Sequence, residues 1–144
     1  MARTIKDAFK NGKAFVAFIT AGDPNLDKTA EYILEMERAG ADLIEIGIPF
    51  SDPIAEGVVI QEADLRALQS GTTTDGIFDM VEKLRRKTDM PLVFMGYLNP
   101  YSTTDMSGFS QGAKSAASAG SLFPTCPMRR KGSARRSRRS TAWM

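Results

Sequence analysis

Leu43 to Pro53 reads L-I-E-I-G-I-P-F-S-D-P, an apolar run that holds one carboxylate and then breaks into a loop bounded by prolines. Side chains alternate along a strand, so Ile44, Ile46 and Ile48 share one face while Leu43, Glu45 and Gly47 share the other. Glu45 therefore sits among neighbours that would otherwise be core. Burying a carboxylate without a partner costs several kcal/mol or drives its pKa upward. A glutamate in this place is either paired structurally or kept for proton transfer.

Two more apolar runs flank this one. Ala14 to Thr20 (A-F-V-A-F-I-T) ends at Gly22-Asp23-Pro24, and Leu92 to Met95 follows a long polar stretch; both read as buried strands closed by turn residues. Between the first two, a helix is expected with Asn25 or Asp27 as its cap, Leu26, Ala30, Ile33 and Leu34 as its apolar stripe, and Gly40 as its stop. Val58 to Gln69 reads as a second helix, ended at Gly71. A third is capped by Thr74 or Asp75 and carries Ile77, Phe78, Val81 and Leu84 on one face.

Strands that alternate with helices pair in parallel through right-handed crossovers, so the first hundred residues make an α/β chain. An open doubly wound sheet and a closed (β/α)8 barrel both satisfy this pattern, and both place ligands at the carboxyl ends of the strands. Three loops lie there: Ala21 to Asn25, Pro49 to Gly57, and Tyr97 to Pro100. No glycine-rich phosphate motif follows any strand, which leaves dinucleotide and nucleoside triphosphate sites without support.

Composition narrows the chemistry. The chain has 144 residues, 42% hydrophobic and 25% charged, as in ordinary globular proteins. No run has the length of a signal peptide or a membrane span, and a cytoplasmic location is the default expectation. The single cysteine, Cys126, excludes an internal disulfide, and the absence of histidine removes the commonest metal ligand and general base. No metal site is expected, and acid or base work falls to carboxylates, Lys, Tyr or Cys.

Four segments, T-A-G-D-P (Thr20 to Pro24), E-I-G-I-P-F-S-D-P (Glu45 to Pro53), I-Q-E-A-D-L-R-A-L (Ile60 to Leu68) and M-G-Y-L-N-P (Met95 to Pro100), together resemble the tryptophan synthase alpha chain family over residues 1 to 100. The resemblance implies a (β/α)8 barrel that cleaves indole-3-glycerol phosphate to indole and glyceraldehyde 3-phosphate in tryptophan biosynthesis. It also implies an alpha2beta2 assembly in which indole passes to a beta chain; pyridoxal phosphate belongs to that partner, and no cofactor is expected on this chain.

By the same resemblance Glu45 is the proton donor and acceptor, and Glu56 accepts the indole N–H. Phe18 and Tyr97 line the indole pocket, and Asp52 and Pro53 meet the beta chain. Taken without the family, a strand-end aromatic is first of all core packing, and Ser51-Asp52-Pro53 is an ordinary turn. The chain departs from the family pattern at one point. The usual A-D-G-P is here Ala55-Glu56-Gly57-Val58, an acid one methylene longer without the following proline.

From Tyr101 onward the sequence changes character. Residues 1 to 100 hold 11 Lys and Arg against 16 Asp and Glu, whereas residues 101 to 144 hold 8 against the single Asp105. The tail shows no strand or helix period and is expected to be disordered by composition. Regrouping its codons by one base lets Tyr101 to Phe109 encode V-F-N-Y-G-Y-E-R-F, and Pro124 to Gly132 encode P-D-L-P-Y-E-E-K-G. Both match the family's continuation. Residues 101–144 are therefore expected to be an out-of-frame translation, so that three of the eight barrel strands are present, the phosphate-binding loops are missing and the polypeptide is inactive. A non-catalytic module that binds the beta chain, another lyase on the same barrel, and a nucleic-acid binder using the Arg-rich tail are the alternatives; the altered frame accounts for the tail's charge without nucleic acid.

Overall fold

The computed structural model describes residues 3–97 and the strand Leu122–Thr125. In chain order the elements are α1 (Ile5–Ala8), β1 (Val16–Thr20), α2 (Leu26–Arg38), β2 (Leu43–Gly47), α3 (Val58–Gln69), α4 (Thr74–Leu84), β3 (Leu92–Tyr97) and β4 (Leu122–Thr125). The strands form one parallel sheet in the order β1-β2-β3-β4.

Alternation along each strand divides the sheet into two unlike faces. Ile44, Ile46 and Ile48 of the β2 segment and Leu92 and Phe94 of β3 join Ile33 of α2 and Ile77, Phe78, Val81 and Leu84 of α4 in one buried cluster. Phe78 meets Phe94 edge-on, with centroids 5.3 Å apart and an interplanar angle of 80°, a favourable aromatic geometry. The other face carries Phe18, Glu45, Gly47, Val93, Met95 and Tyr97. Register fixes these into rows: Phe18 lies opposite Glu45 and Glu45 opposite Val93, while Thr20 lies opposite Gly47 and Gly47 opposite Met95.

Helix α2 begins where its sequence places it, Asn25 accepting from the Lys28 N–H at 2.9 Å. Helix α4 begins one residue before the expected caps. Thr73, rather than Thr74 or Asp75, accepts from the Gly76 N–H at 3.1 Å, because Thr72 is buried against Gly22 and the chain turns into the helix immediately afterwards. Strand β1 starts at Val16 and not at Ala14. The Phe15 N–H is taken by the Asp42 carboxylate at 2.8 Å, and the Phe15 carbonyl accepts from the Asp42 N–H at 2.9 Å.

The expectation of three strands and a tail without regular structure is corrected at its C-terminal part. Strand β4 pairs with β3 from Phe94↔Leu122 to Tyr97↔Thr125, which also carries β3 two residues past Met95. The free backbone groups along β3 need partners, and L-F-P-T supplies them in a run too short to show a period. Pro124, which has no N–H to donate, lies on the outermost described strand, where proline is tolerated. Residues 98–121 and 126–144, including Asn99, Pro100, Cys126 and the Arg-rich stretch, lie outside the described residues. No helix among the described residues is long and apolar enough to cross a membrane.

The loop after β1 is fastened to the end of α3. Arg66 donates through Nε and Nη2 to the two Asp23 oxygens at 2.9 and 2.8 Å, the bidentate geometry that suits guanidinium to carboxylate. Ser70 donates to the Gly22 carbonyl at 3.1 Å, and the Gly22 N–H donates to Thr29 Oγ1 at 2.9 Å. Gly22 has φ +91°, and a Cβ there would lie 1.9 Å from Thr72 Oγ1. Gly22→Ala should therefore destabilise the protein by about 2–4 kcal/mol, from backbone strain and overpacking together. Urea unfolding followed by circular dichroism measures this, and a loss under 1 kcal/mol would show the contact to be soft.

Candidate functional site

The carboxyl ends of β1, β2 and β3 open onto the loop of residues 49–57, and the cleft between them is the candidate site. Its apolar walls are Phe18, Ile48, Ile60 and Met95; its polar groups are Glu56, Asp64 and Tyr97. Gly47 forms part of the floor, and a Cβ on it would lie 2.6 Å from Phe18 Cζ. The missing side chain is what lets the aromatic ring lie over the strand.

Tyr97, the last residue of β3, organises the polar side. Its hydroxyl donates to Glu56 Oε1 at 3.1 Å and accepts from the Ala55 N–H at 2.9 Å. Its ring stacks on Phe50, with centroids 5.0 Å apart and planes inclined by 28°. Burial, with the Glu56 carboxylate adding to it, pushes the Tyr97 phenol upward from its ordinary pKa. The phenol thus keeps its proton at neutral pH and serves as a donor to Glu56. Gln61 donates through Nε2 to the Glu56 carbonyl at 2.9 Å, so the residue is held at backbone and side chain.

Residues 5–141 match the family model of the tryptophan synthase alpha chain. The chain belongs to the tryptophan synthase alpha chain family. The alpha chain of Lactiplantibacillus plantarum is 45% identical over 127 residues, covering 88% of this chain and 48% of that relative. The alpha chain of Citrifermentans bemidjiense is 59% identical over 88 residues, 61% of this chain and 33% of that relative. The chain thus spans about half the length, or less, of these relatives. Among solved structures, the alpha subunit of Legionella pneumophila superposes with a TM-score of 0.76 at 38% identity, over 83% of this chain and 46% of that one. The tryptophan synthase complex of Pyrococcus furiosus gives 0.71 at 36%, over 77% and 45%.

Of the family residues carried over from the sequence, the structure brings Phe18, Glu56 and Tyr97 into one cleft. Glu45 does not line it. It lies on the same sheet face, between Phe18 and Val93, and is half-buried in a strand whose other residues are buried. Among the described residues no hydrogen-bond or ion-pair partner reaches its carboxylate. Asp52 is exposed and accepts from Ser51 Oγ at 2.7 Å, and Pro53 beside it is half-buried. Tyr97 opens no loop: it is the last residue of a strand, and beyond lining the pocket its hydroxyl ties down the loop that carries Glu56.

Two polar groups escape the sequence reading. Thr20 Oγ1, at the end of β1, is buried without a hydrogen-bond partner among the described residues. Asp64 is 5% exposed on α3 and lines the cleft. Burial pushes its pKa up to about 6, the Phe50 N–H opposing the shift and the charge of Glu56 adding to it. The sequence did carry a signal for Asp64: an acid in register with Ala63 and Ala67, the small residues that α3 buries.

The residues of the cleft leave about 20 Å³ between them, room for one water and too little for a bicyclic ring. A ring can enter only if Phe18, which is 38% exposed, or the 49–57 loop moves aside.

Tyr97→Phe keeps the ring stack but removes both hydroxyl bonds of the loop. The expected loss is about 1 kcal/mol in urea unfolding, with faster amide exchange at Ala55. Asp64→Asn tests the buried acid. A carboxyl whose pKa is raised on folding binds its proton more tightly in the folded state, so its stabilising effect is complete below about pH 4 and fades as pH rises through about 6. The variant, neutral throughout, should gain Tm relative to the parent as pH rises from 4 to 7.5; an unchanged difference would contradict the assignment.

Proposed function

We propose that residues 1–100 carry the acid pair of a tryptophan synthase alpha active site, for aldol cleavage of indole-3-glycerol phosphate to indole and glyceraldehyde 3-phosphate. The observation that carries this reading is Glu56 held by Tyr97 across the cleft from Phe18, with Glu45 unpaired among the described residues on the same sheet face. Cleavage needs a proton on the departing indole carbon, a base for the glycerol hydroxyl that becomes the aldehyde, and an acceptor for the ring N–H. Glu45 serves the first two and Glu56 the third, where charge develops as the bond breaks. No cofactor takes part on this chain. Glu56 is longer than the family's aspartate, and its anchoring by Tyr97 offsets the added freedom.

The architecture that goes with this function is the N-terminal part of a (β/α)8 barrel, with residues 101–144 read out of frame. The neighbouring frame also allows proline at position 124, so the β4 pairing is compatible with either. The partner is the beta chain, which holds the pyridoxal phosphate of an alpha2beta2 assembly and docks on Asp52 and Pro53. Ile54, Val58 and Val59 beside them are 69%, 68% and 76% exposed, an apolar patch of the kind that partners cover.

The decisive tests are genetic and kinetic. The nucleotide sequence across codons 98 to 106 should restore V-F-N-Y-G-Y-E-R-F in the neighbouring frame. The frame-restored protein should cleave indole-3-glycerol phosphate, and Glu45→Gln should lower kcat by about 10²-fold or more. The 144-residue polypeptide should show no turnover; measurable activity in it would refute the inactive reading.

A further inference from the structure

Asp64 projects from α3 into the cleft and is almost wholly buried, yet among the described residues no cation pairs with it. Arg66, two residues on, is committed to Asp23 in a bidentate pair. The group that does reach Asp64 belongs to the opposite wall: the Phe50 N–H donates to Asp64 Oδ2 at 3.5 Å. Phe50 opens the loop that ends at Gly57, and its ring stacks on Tyr97. The loop is therefore fastened twice, at its start by Asp64 and near its end by the Tyr97 hydroxyl. Glu56 lies between these fastenings and the N-terminus of α3.

The titratable groups around Asp64 can be named from each element packed on the cleft. The loop contributes Glu56, β3 contributes Tyr97, and β2 contributes Glu45 on the same sheet face. The β1 residues there, Phe18 and Thr20, do not titrate, and Asp52 is exposed to solvent. All of these titratable groups are acids. Ionising Asp64 strengthens its bond from the Phe50 N–H, since a charged acceptor binds a backbone donor more tightly than a neutral one. It also leaves a buried charge beside that of Glu56, and these costs outweigh the stronger bond.

We propose that Asp64 is a positioning residue, a proton-linked latch that draws Phe50 and the 49–57 loop onto α3 and thereby places Glu56 in the cleft. The latch is tight while Asp64 holds its proton and loosens when it ionises, because burial and the charge of Glu56 disfavour the carboxylate by more than the Phe50 N–H favours it. Burial moves its midpoint to about pH 6, within reach of modest acidification. The consequence for catalysis rests on the acid role proposed for Glu56; the latch itself does not, and it is read on the unliganded chain.

The test is amide NMR on the full 144-residue protein between pH 4.5 and 8. The Phe50 N–H resonance should shift as pH rises, with a midpoint near 6, and its exchange, corrected for intrinsic rate, should quicken over the same range. Glu56→Gln, which removes the neighbouring charge, should lower that midpoint while leaving the titration intact. Asp64→Asn still offers an oxygen to Phe50, so protection should persist without pH dependence. Asp64→Leu should accelerate Phe50 exchange by about tenfold or more. A flat Phe50 resonance in the parent, or Phe50 exchange unchanged in Asp64→Leu, overturns the proposal. Neither result bears on whether the frame-restored protein cleaves its substrate, so the two readings fail separately.

Discussion

Phe18, Glu45 and Val93 lie in one row across three parallel strands, and the row holds only because the register is one that buries Ile44, Ile46 and Ile48 beneath the helices. Side chains alternate with a period of two, so a slip of one residue would carry Glu45 into the apolar layer and turn those isoleucines outward. Burial of the helix-facing layer thus decides where the acid points. Everything polar in the cleft is built on the opposite face, which the core leaves free.

The sheet places one acid, whereas the other is delivered by a loop. Backbone on a loop has no ladder to fix it, so its position depends on side-chain hydrogen bonds. Tyr97 supplies two of these from a rigid strand end, and Phe50 packs its ring on the same side chain. The wall formed by β1 is fixed separately, through Gly22 and Asp23 against Ser70 and Arg66. Helix α3 therefore touches both loops that border the cleft, with Asp64 toward one and Arg66 toward the other.

Much of this arrangement was readable from the chain. Apolar runs ended by Gly-Asp-Pro and by Pro-Phe-Ser-Asp-Pro mark strands and their loops, and Asn25 caps α2 by a local contact that needs no tertiary context. Boundaries were less legible where a distant residue decides them. Asp42 takes the Phe15 amide and shortens β1, and β4 lengthens β3. The two bonds of the Tyr97 hydroxyl join residues 41 and 42 positions away, a separation at which sequence pattern says nothing. Asp64 is hard to place from sequence because α3 buries only small residues beside it, giving too weak a stripe to tell which face is inward. The strand in the tail, four residues long, is too short to carry a pattern.

The Tyr97 hydroxyl grips the loop through the Ala55 amide, which is the same for every amino acid, and grips the acid through a side chain that can differ. Loop geometry and acid length are thereby separable under mutation. A lineage can exchange aspartate for glutamate at position 56 while the backbone around it stays anchored, and a residue long enough to reach the phenol still finds its donor. The cleft has room for drift at the one position where a change of acid length would otherwise have displaced the whole loop.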